Sequence, residues 1–323
     1  MQPCNRQNHL RKNIGTNTLH KISSTVWENS AIAHAKLFEK MDEERISLQY
    51  NLPIINLKHF KKLTTGFGMI QFSKSIYRKM TKSILVTGGT KGIGRAIIQR
   101  FAEEGFDVFT CSRHQVDLEE LKSDFQSRFP TQNINVFSAD LSKKDQVKSF
   151  SEEVKLLGIP DVIINNTGVF FPGSIHSEPD GNFELMMHTN LFSAYYLTRA
   201  FTGEMIARKS GHIFSIGSIA GLTAYANGGS YAISKWAMLG FTKCLREELK
   251  NYNIKVTSVL PGATYTASWE GVDIPEERFM KSTDVAESVW AAYNLSPYSV
   301  VEEIVIRHFV NRCRATDDRE GVN

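Results

Sequence analysis

Several features that mark membrane, disulfide-linked or metal-binding proteins are missing from this sequence. Its 323 residues include four cysteines, which are scattered and form no C-x-x-C pair. No run approaches the ~18 consecutive apolar residues of a membrane span, and the nine histidines are isolated from the cysteines. These absences argue against disulfides, a metal site and a membrane span. With 41% hydrophobic and 22% charged residues, the composition favours a globular cytoplasmic protein.

Acidic residues are scarce near the N-terminus. The first is Glu28, and residues 1–82 hold fourteen Lys or Arg against five Asp or Glu, whereas the remainder holds twenty-four against twenty-nine. We interpret residues 1–79 as a basic, poorly ordered extension. Two alternatives stay open: a stretch upstream of a working start at Met80, and a targeting peptide. Nucleic-acid binding is not predicted, because the basic residues show no motif and almost no aromatic interleaving.

Residues 83–307 alternate short apolar, β-branched runs with stretches of helical periodicity. We predict strands at 83–87, 107–111, 133–137, 161–165, 211–216, 255–260 and 301–306, and helices near 92–104, 117–128, 143–156, 183–208, 229–250 and 283–293. This alternation implies right-handed βαβ crossovers and an α/β fold with helices on both faces of a parallel sheet. Residues 80–310 are therefore predicted to form one domain, followed by a polar tail at 311–323.

A glycine-rich segment follows the first predicted strand. It reads Thr87-Gly88-Gly89-Thr90-Lys91-Gly92-Ile93-Gly94 and opens a stretch, 93–104, whose apolar residues recur at helical spacing. Glycines allow a tight turn and the close approach of a pyrophosphate, which the N-terminus of the helix attracts. Strand, glycine turn and helix together predict a phosphate-binding loop.

A second set of residues has the chemistry of a proton-transfer site. Tyr231 and Lys235 are four residues apart, so on one helix their side chains share a face. A tyrosine hydroxyl normally has a pKa near ~10, and a neighbouring ammonium favours the phenolate and lowers that pKa. Ser218, at the end of an apolar run, can donate a hydrogen bond to a substrate oxygen. Tyr-x-x-x-Lys pairs also occur on ordinary helices, so the glycine loop upstream gives this pair its weight.

With both segments, the chain resembles the short-chain dehydrogenase/reductase family from about Met80 to about Arg307. Four further segments carry the resemblance: Asp140-Leu141, Asn165-Asn166-Thr167-Gly168, Asn190, and Pro261-Gly262 with Thr264 and Thr266. Thr167 departs from the alanine usual at its position. The resemblance implies a Rossmann-type, doubly wound parallel sheet of about seven strands that binds a nicotinamide cofactor at the carboxyl ends of its strands.

The family's functional residues map onto this sequence position by position. The implied catalytic residues are Asn190, Ser218, Tyr231 and Lys235. The implied cofactor-binding residues are Gly88, Thr90, Lys91, Gly92, Ile93, Gly94, Ser112, Arg113, Asp140, Leu141, Asn166, Thr167, Gly168, Tyr231, Lys235, Pro261, Gly262, Thr264 and Thr266. Among these, Asp140 and Leu141 are expected beside the adenine, and the loop from Pro261 to Thr266 over the nicotinamide.

The resemblance also implies a mechanism. A substrate carbonyl of ketone or β-ketoacyl type would accept a hydride from the nicotinamide while Tyr231 delivers a proton to the developing alkoxide, which Ser218 stabilises. Lys235 would lower the pKa of Tyr231 and hold the nicotinamide ribose, and Asn190 would anchor a water on the proton route. The alternative is a non-catalytic NADP-binding sensor or scaffold of the same fold, against which the complete catalytic set argues.

Cofactor preference follows from a missing charge. Folds of this kind that prefer NAD place an acidic residue near the end of the second strand to hold the ribose 2′-hydroxyl. That strand ends here in Thr110-Cys111-Ser112-Arg113, without a carboxylate. Arg113 and Lys91 suit a 2′-phosphate instead, so the sequence predicts NADP(H).

Two predicted helices, 183–208 and 229–250, carry apolar residues on more faces than one sheet contact buries. Either neighbouring elements cover these residues or a second copy does. Family members commonly pair through these helices, so the resemblance implies a homodimer or homotetramer.

The segments 169–183 and 266–279 are expected to line an apolar, aromatic pocket for an uncharged or weakly polar carbonyl substrate.

Overall fold

The computed structural model describes residues 81–265 and 278–309. Its strands are β1 (Ser83–Thr87), β2 (Asp107–Ser112), β3 (Ile134–Ser138), β4 (Val162–Asn165), β5 (Gly211–Ile216), β6 (Ile254–Pro261) and β7 (Glu303–Ile306). Its helices are α1 (Gly92–Glu103), α2 (Gln115–Arg128), α3 (Lys144–Leu157), α4 (Asn182–Met187), α5 (Ser193–Arg208), α6 (Gly229–Leu249) and α7 (Ser282–Tyr293). A π-helical segment, His188–Phe192, joins α4 to α5, and short 3₁₀ turns span Ile219–Gly221 and Lys250–Tyr252.

The seven strands form one parallel sheet in the order β3-β2-β1-β4-β5-β6-β7. The chain runs outward from β1 to β3, then returns to the other side of β1 with β4. In such sheets the crevice at the carboxyl ends of the strands, where the order reverses, is the ligand site. The predicted α/β class, the parallel sheet and the strand number are confirmed.

Strand boundaries differ from the sequence predictions by two residues or fewer. The largest shift is at β7, which begins at Glu303 instead of residue 301, because its pairing with β6 starts at Ser258 opposite Glu303. Both faces of the sheet are covered, as a parallel sheet requires. Along β1, for example, Ile84 and Val86 join one buried cluster and Leu85 joins the other.

Each buried cluster is built around large aromatic side chains. Phe101 of α1 packs with Trp290 and Tyr293 of α7 on one face, with ring centroids 5.1 and 5.4 Å away. On the other face Phe150 of α3 and Phe201 of α5 are almost fully buried. Burying each such side chain contributes about 1.5–3 kcal/mol. The two layers hold the carboxyl ends of β1, β4, β5 and β6 in fixed relative positions.

The predicted extension at 1–79 and the predicted tail at 311–323 lie outside the described residues. Across residues 81–265 and 278–309, no helix combines the length and apolar character needed to cross a bilayer. The cytoplasmic location stays a prediction.

Candidate active site

The glycine-rich turn between β1 and α1 depends on glycine for its backbone geometry and its close contacts. Gly88 and Gly92 have φ angles of 67° and 55°, in the left-handed region that favours glycine. A Cβ on Gly94 would lie 2.4 Å from the Gly88 carbonyl oxygen and 2.6 Å from Asn166 Nδ2. These glycines are therefore needed for the turn itself, apart from any ligand.

Hydrogen bonds tie this turn to the end of β4. The Asn166 side chain donates from Nδ2 to the carbonyl oxygens of Thr87 and Gly88, at 2.8 and 3.1 Å. The backbone N–H groups of Asn166 and Thr167 both donate to Thr87 Oγ1, each at 2.9 Å. Asn166 and Thr167 therefore support the loop that would hold the cofactor.

Thr110 on β2 is a supporting residue that the sequence reasoning missed. Its buried hydroxyl accepts a hydrogen bond from the Gly89 N–H at 3.1 Å and donates to the Val86 carbonyl at 2.7 Å. A Cβ on Gly89 would approach Thr110 Oγ1 to 2.3 Å. The only signal in the sequence is a threonine within an apolar strand, which is too common to single out.

The N-terminus of α1 fits a phosphate group. Its N-cap, Lys91, has extended backbone (φ −141°) and provides no side-chain cap, and the first turn contains no acidic residue. Unpaired N–H groups and the helix dipole favour an anion there. Ile93, also predicted at this site, packs partly buried against the core. The uncapped helix end suits a dinucleotide pyrophosphate.

Polar residues surround the end of β2, where the sequence predicts the binding site for the 2′-phosphate of NADP(H). Thr90 Oγ1 donates to Ser112 Oγ at 3.4 Å. The Lys91 ammonium lies 3.3 Å from an Asp117 carboxylate oxygen and its side chain is 62% exposed. An exposed ion pair of this kind contributes at most about 1 kcal/mol, so Lys91 can readily exchange Asp117 for another anion. Arg113 is exposed.

Asp140 lies close enough to Arg113 for the two charges to interact. Burial acts to raise the pKa of Asp140, but hydrogen bonds from Ser142 and the positive charges of Lys143 and Arg113 lower it below its usual value. The carboxylate is therefore ionised at neutral pH. Leu141, predicted beside the adenine, is 4% exposed and packs within the core.

Tyr231 and Lys235 lie on α6 and Ser218 follows β5. The Ser218 hydroxyl lies close enough to the Tyr231 hydroxyl to act on its pKa. Lys235 Nζ donates to the Ile216 carbonyl at 3.1 Å and lies 5.6 Å from the centroid of the Tyr231 ring. The structure thus brings together the three residues for which the sequence predicted proton transfer.

The electrostatics of this pair differ from the expectation. Burial raises the pKa of Tyr231 to about 12, although Ser218 acts in the opposite direction. Burial also lowers the pKa of Lys235 to about 8. The prediction that Lys235 lowers the pKa of Tyr231 is not met here, because desolvation by burial penalises the charged form of both groups.

The Ser218 hydroxyl hydrogen is available to donate a hydrogen bond. Ser218 Oγ accepts a hydrogen bond from the Ala220 N–H at 3.1 Å and so caps the short turn Ile219–Gly221. Since that bond uses only an oxygen lone pair, the hydroxyl hydrogen can point toward Tyr231 or toward a substrate oxygen.

Asn190 lies in the π-helical segment and is fully buried. Its Oδ1 accepts from the Val169 N–H at 2.7 Å, and its Nδ2 donates to the Val169 carbonyl at 3.0 Å and to Ser234 Oγ at 2.9 Å. A Cβ on Gly168 would lie 3.3 Å from Asn190 Oδ1 and 3.4 Å from Lys235 Nζ. The Asn190 side chain therefore braces the segment after β4 against α6, with Gly168 between Asn190 and Lys235.

The loop predicted to close over the nicotinamide begins at the end of β6. Gly262 N–H donates to the Ile306 carbonyl at 2.8 Å, and Thr264 Oγ1 donates to the Gly262 carbonyl at 3.0 Å. Pro261 is the last residue of β6. The described part of this loop is thus anchored to β7, whereas Thr266 lies outside the described residues.

Comparison with known proteins decides the family. A sequence profile described as short chain dehydrogenase matches residues 82–276. The chain belongs to the short-chain dehydrogenase family. This short-chain dehydrogenase is 33% identical over 237 residues to sepiapterin reductase of Chlorobaculum tepidum, with 71% of this chain and 96% of the reductase covered.

Two further comparisons agree with the family. A 3-oxoacyl-(acyl-carrier-protein) reductase of Staphylococcus aureus is 30% identical over 227 residues to this short-chain dehydrogenase, with 65% of this chain and 90% of the reductase covered. The crystal structure of a metagenomic short-chain oxidoreductase in complex with NADP superimposes with a TM-score of 0.62 at 28% identity, covering 72% of this chain and 99% of that one. The family predicted from the motifs is confirmed.

Proposed function

We propose that this short-chain dehydrogenase is an NADP(H)-dependent enzyme that reduces the carbonyl group of a ketone or β-ketoacyl substrate to an alcohol. The observation that carries the proposal is the close pair formed by the Ser218 and Tyr231 hydroxyls, with Lys235 Nζ 5.6 Å from the centroid of the tyrosine ring. This pair lies at the carboxyl edge of the sheet, as does the glycine turn. When bound, NADPH would supply the hydride that the carbonyl carbon accepts.

Tyr231 is the proton donor in this proposal. With a pKa of about 12 the phenol keeps its proton at neutral pH, so the proton is present when a developing alkoxide needs it. Ser218 donates a hydrogen bond to the same oxygen and stabilises its charge. The Lys235 ammonium then stabilises the phenolate that remains.

The aromatic side chains close to Tyr231 favour an uncharged or weakly polar substrate. The Phe170 ring lies edge-on to the Tyr231 ring, with centroids 4.8 Å apart, and Phe171 is 37% exposed. Relatives named for sepiapterin and for a 3-oxoacyl group support a carbonyl substrate without choosing between these chemical types. Trp269, which the sequence also predicted in the pocket, lies outside the described residues.

The test is oxidation of NADPH, followed at 340 nm, against a panel of ketones, pteridines and 3-oxoacyl thioesters. Turnover of at least one compound by the protein, and none without protein, would support the proposal. Binding of NADPH without oxidation by any member of the panel would favour the alternative, a non-catalytic sensor or scaffold.

Replacing Arg113 with Ala is expected to weaken NADPH binding at least ~10-fold while changing NADH binding less than twofold, because only NADPH carries the 2′-phosphate that a guanidinium can bind through two hydrogen bonds. The measurement is the dissociation constant of each cofactor by fluorescence titration. Lys122→Ala removes the same charge elsewhere on the surface and should change neither constant. Equal losses of affinity for the two cofactors after Arg113→Ala would show that Arg113 does not bind the 2′-phosphate.

The apolar surface on α6 supports the proposed homodimer or homotetramer. Trp236 is 50% exposed, Ile233 41% and, on α5, Tyr195 38%. We expect light scattering at micromolar concentration to give the mass of a dimer or tetramer, and Trp236→Glu to shift it toward the monomer because it buries a charge in the contact. Val116→Glu, at a side chain that is 75% exposed on α2, is the matched control. A wild-type monomer with full activity would contradict the proposal.

A further inference from the structure

The segment that follows β4 is fastened to the turn that precedes α6. The Gly173 N–H donates to the Asn227 carbonyl at 3.0 Å, and Ser174 Oγ donates to Asn227 Oδ1 at 2.8 Å. Gly173 and Gly228 form an isolated parallel β-bridge. We call this contact, between residues 173–178 and 225–230, the loop clasp.

A glutamate closes the loop clasp at the first turn of α6. Ser230, which is 2% exposed, donates a hydrogen bond from its hydroxyl to Glu178 Oε1. The second carboxylate oxygen, Oε2, is also buried and has no hydrogen-bond partner within the described part of the chain. A carboxylate at this end of a 21-residue helix is favoured by the helix dipole. Hydrogen bonds to charged groups are about twice as strong as neutral ones, so the bond from Ser230 to Glu178 strengthens the clasp.

The backbones within the loop clasp are in close contact. A Cβ on Gly229 would lie 2.9 Å from the Gly173 carbonyl oxygen and 3.0 Å from Ile175 Cγ1. A Cβ on Gly173 would lie 2.8 Å from the Cβ of Glu178. Because packing this close permits little sliding, a shift of the loop would also move the start of α6.

Residues 169–178 approach Tyr231 at both ends, through the bond of Glu178 to Ser230 at one end and through Phe170 at the other. Ser230 directly precedes Tyr231, and the Phe170 ring packs edge-on against its ring at 4.8 Å. We propose that Glu178 is a positioning residue, whose carboxylate holds residues 169–178 on the first turn of α6 and thereby fixes the distance between the Phe170 ring and the Tyr231 hydroxyl. This inference rests on the proposed function, since it assigns Glu178 a part in binding the carbonyl substrate.

The kinetic test compares Glu178→Ala and Glu178→Gln with the wild type, using the best substrate from the NADPH-oxidation panel. Loss of a hydrogen bond to a charged group should raise KM about 10-fold in the alanine variant, with kcat within about threefold and NADPH affinity unchanged. Gln keeps an acceptor for Ser230, so Glu178→Gln should restore KM to within about threefold of the wild type. Glu248→Ala, at an exposed position on α6, is the control. An unchanged KM in Glu178→Ala, or a glutamine variant no better than the alanine one, would overturn the inference.

Hydrogen exchange of the full-length protein provides a readout that needs no substrate. In Glu178→Ala the amides of 173–178 and 228–232 should exchange about 10-fold faster, while those of the glycine turn after β1 keep the wild-type rate. Adding Ser230→Ala to Glu178→Ala should produce no further increase, because both changes remove the same bond. If no compound in the panel is reduced, the proposed function fails while the exchange result still decides whether Glu178 holds the loop. Unchanged exchange in Glu178→Ala would overturn that holding role.

Discussion

Replacing Tyr231 with Phe is expected to lower NADPH-dependent turnover at least ~10²-fold, in line with the loss of a general acid, while leaving NADPH affinity nearly unchanged. The substitution removes only the hydroxyl. The ring keeps its contact with Phe170 and its place beside Lys235, so the fold and the cofactor-binding loop are preserved. The measurements are kcat from NADPH oxidation and the NADPH dissociation constant from fluorescence.

Tyr252→Phe is the matched control, because it removes the hydroxyl of a tyrosine that is 43% exposed and lies beyond the end of α6. It should turn over substrate at the wild-type rate. If the Tyr231→Phe variant also kept its turnover, the proton would have to come from another group and the proposed mechanism would be wrong. A loss of NADPH affinity in Tyr231→Phe as large as the loss of turnover would instead indicate damage to the cofactor site.

Replacing Lys235 with Met is expected to reduce turnover about 10²-fold and to stabilise the protein. Holding a buried ammonium whose pKa has fallen from 10.5 to about 8 costs roughly 3 kcal/mol at neutral pH. Met has nearly the same length without the charge, although the Ile216 carbonyl loses its 3.1 Å hydrogen bond, which offsets about 1 kcal/mol. The net gain in the free energy of unfolding should raise the melting temperature by roughly 5 °C in a thermal scan at pH 7.

The pH dependence tests whether the charge of Lys235 is the cause. Between pH 8 and about 10 the wild-type Lys235 loses its proton in the folded state but keeps it in the unfolded state, so this group makes the wild type more stable as the pH rises. Above pH 10 the raised pKa of Tyr231 acts in the opposite direction in both proteins. The difference in melting temperature should therefore be largest at pH 7 and smaller at pH 9.5. A lower melting temperature for Lys235→Met at pH 7 would contradict the explanation.

Most of the fold could be predicted because its signals are local. The apolar run at 83–87 and the glycines after it define a strand, a turn and a helix within about twenty residues, and the structure has each of them. The four-residue spacing of Tyr231 and Lys235 fixes their common face as soon as α6 forms. The reading of the motifs as a short-chain dehydrogenase was correct for the same reason, since each motif is a short continuous segment.

Other features depend on residues that are distant in sequence. The sequence predicted one continuous helix over 183–208, whereas the structure inserts the π-helical segment where Asn190 bonds to Val169 and Ser234. No local pattern marks that insertion, because it depends on contacts with the segment that follows β4 and with α6. The support that Thr110 provides for the glycine turn likewise appears only once β1 and β2 are paired.

The sequence by itself therefore determined the order of strands and helices, the glycine turn and the common helix face of Tyr231 and Lys235, because periodicity and spacing act within a few helical turns. Only the tertiary structure decided how these residues behave. Burial moves the pKa of Tyr231 up to about 12 and that of Lys235 down to about 8, and the link between Glu178 and Ser230 joins positions 52 residues apart. Desolvation and long-range hydrogen bonds are properties of the packed chain, so no short stretch of sequence encodes them.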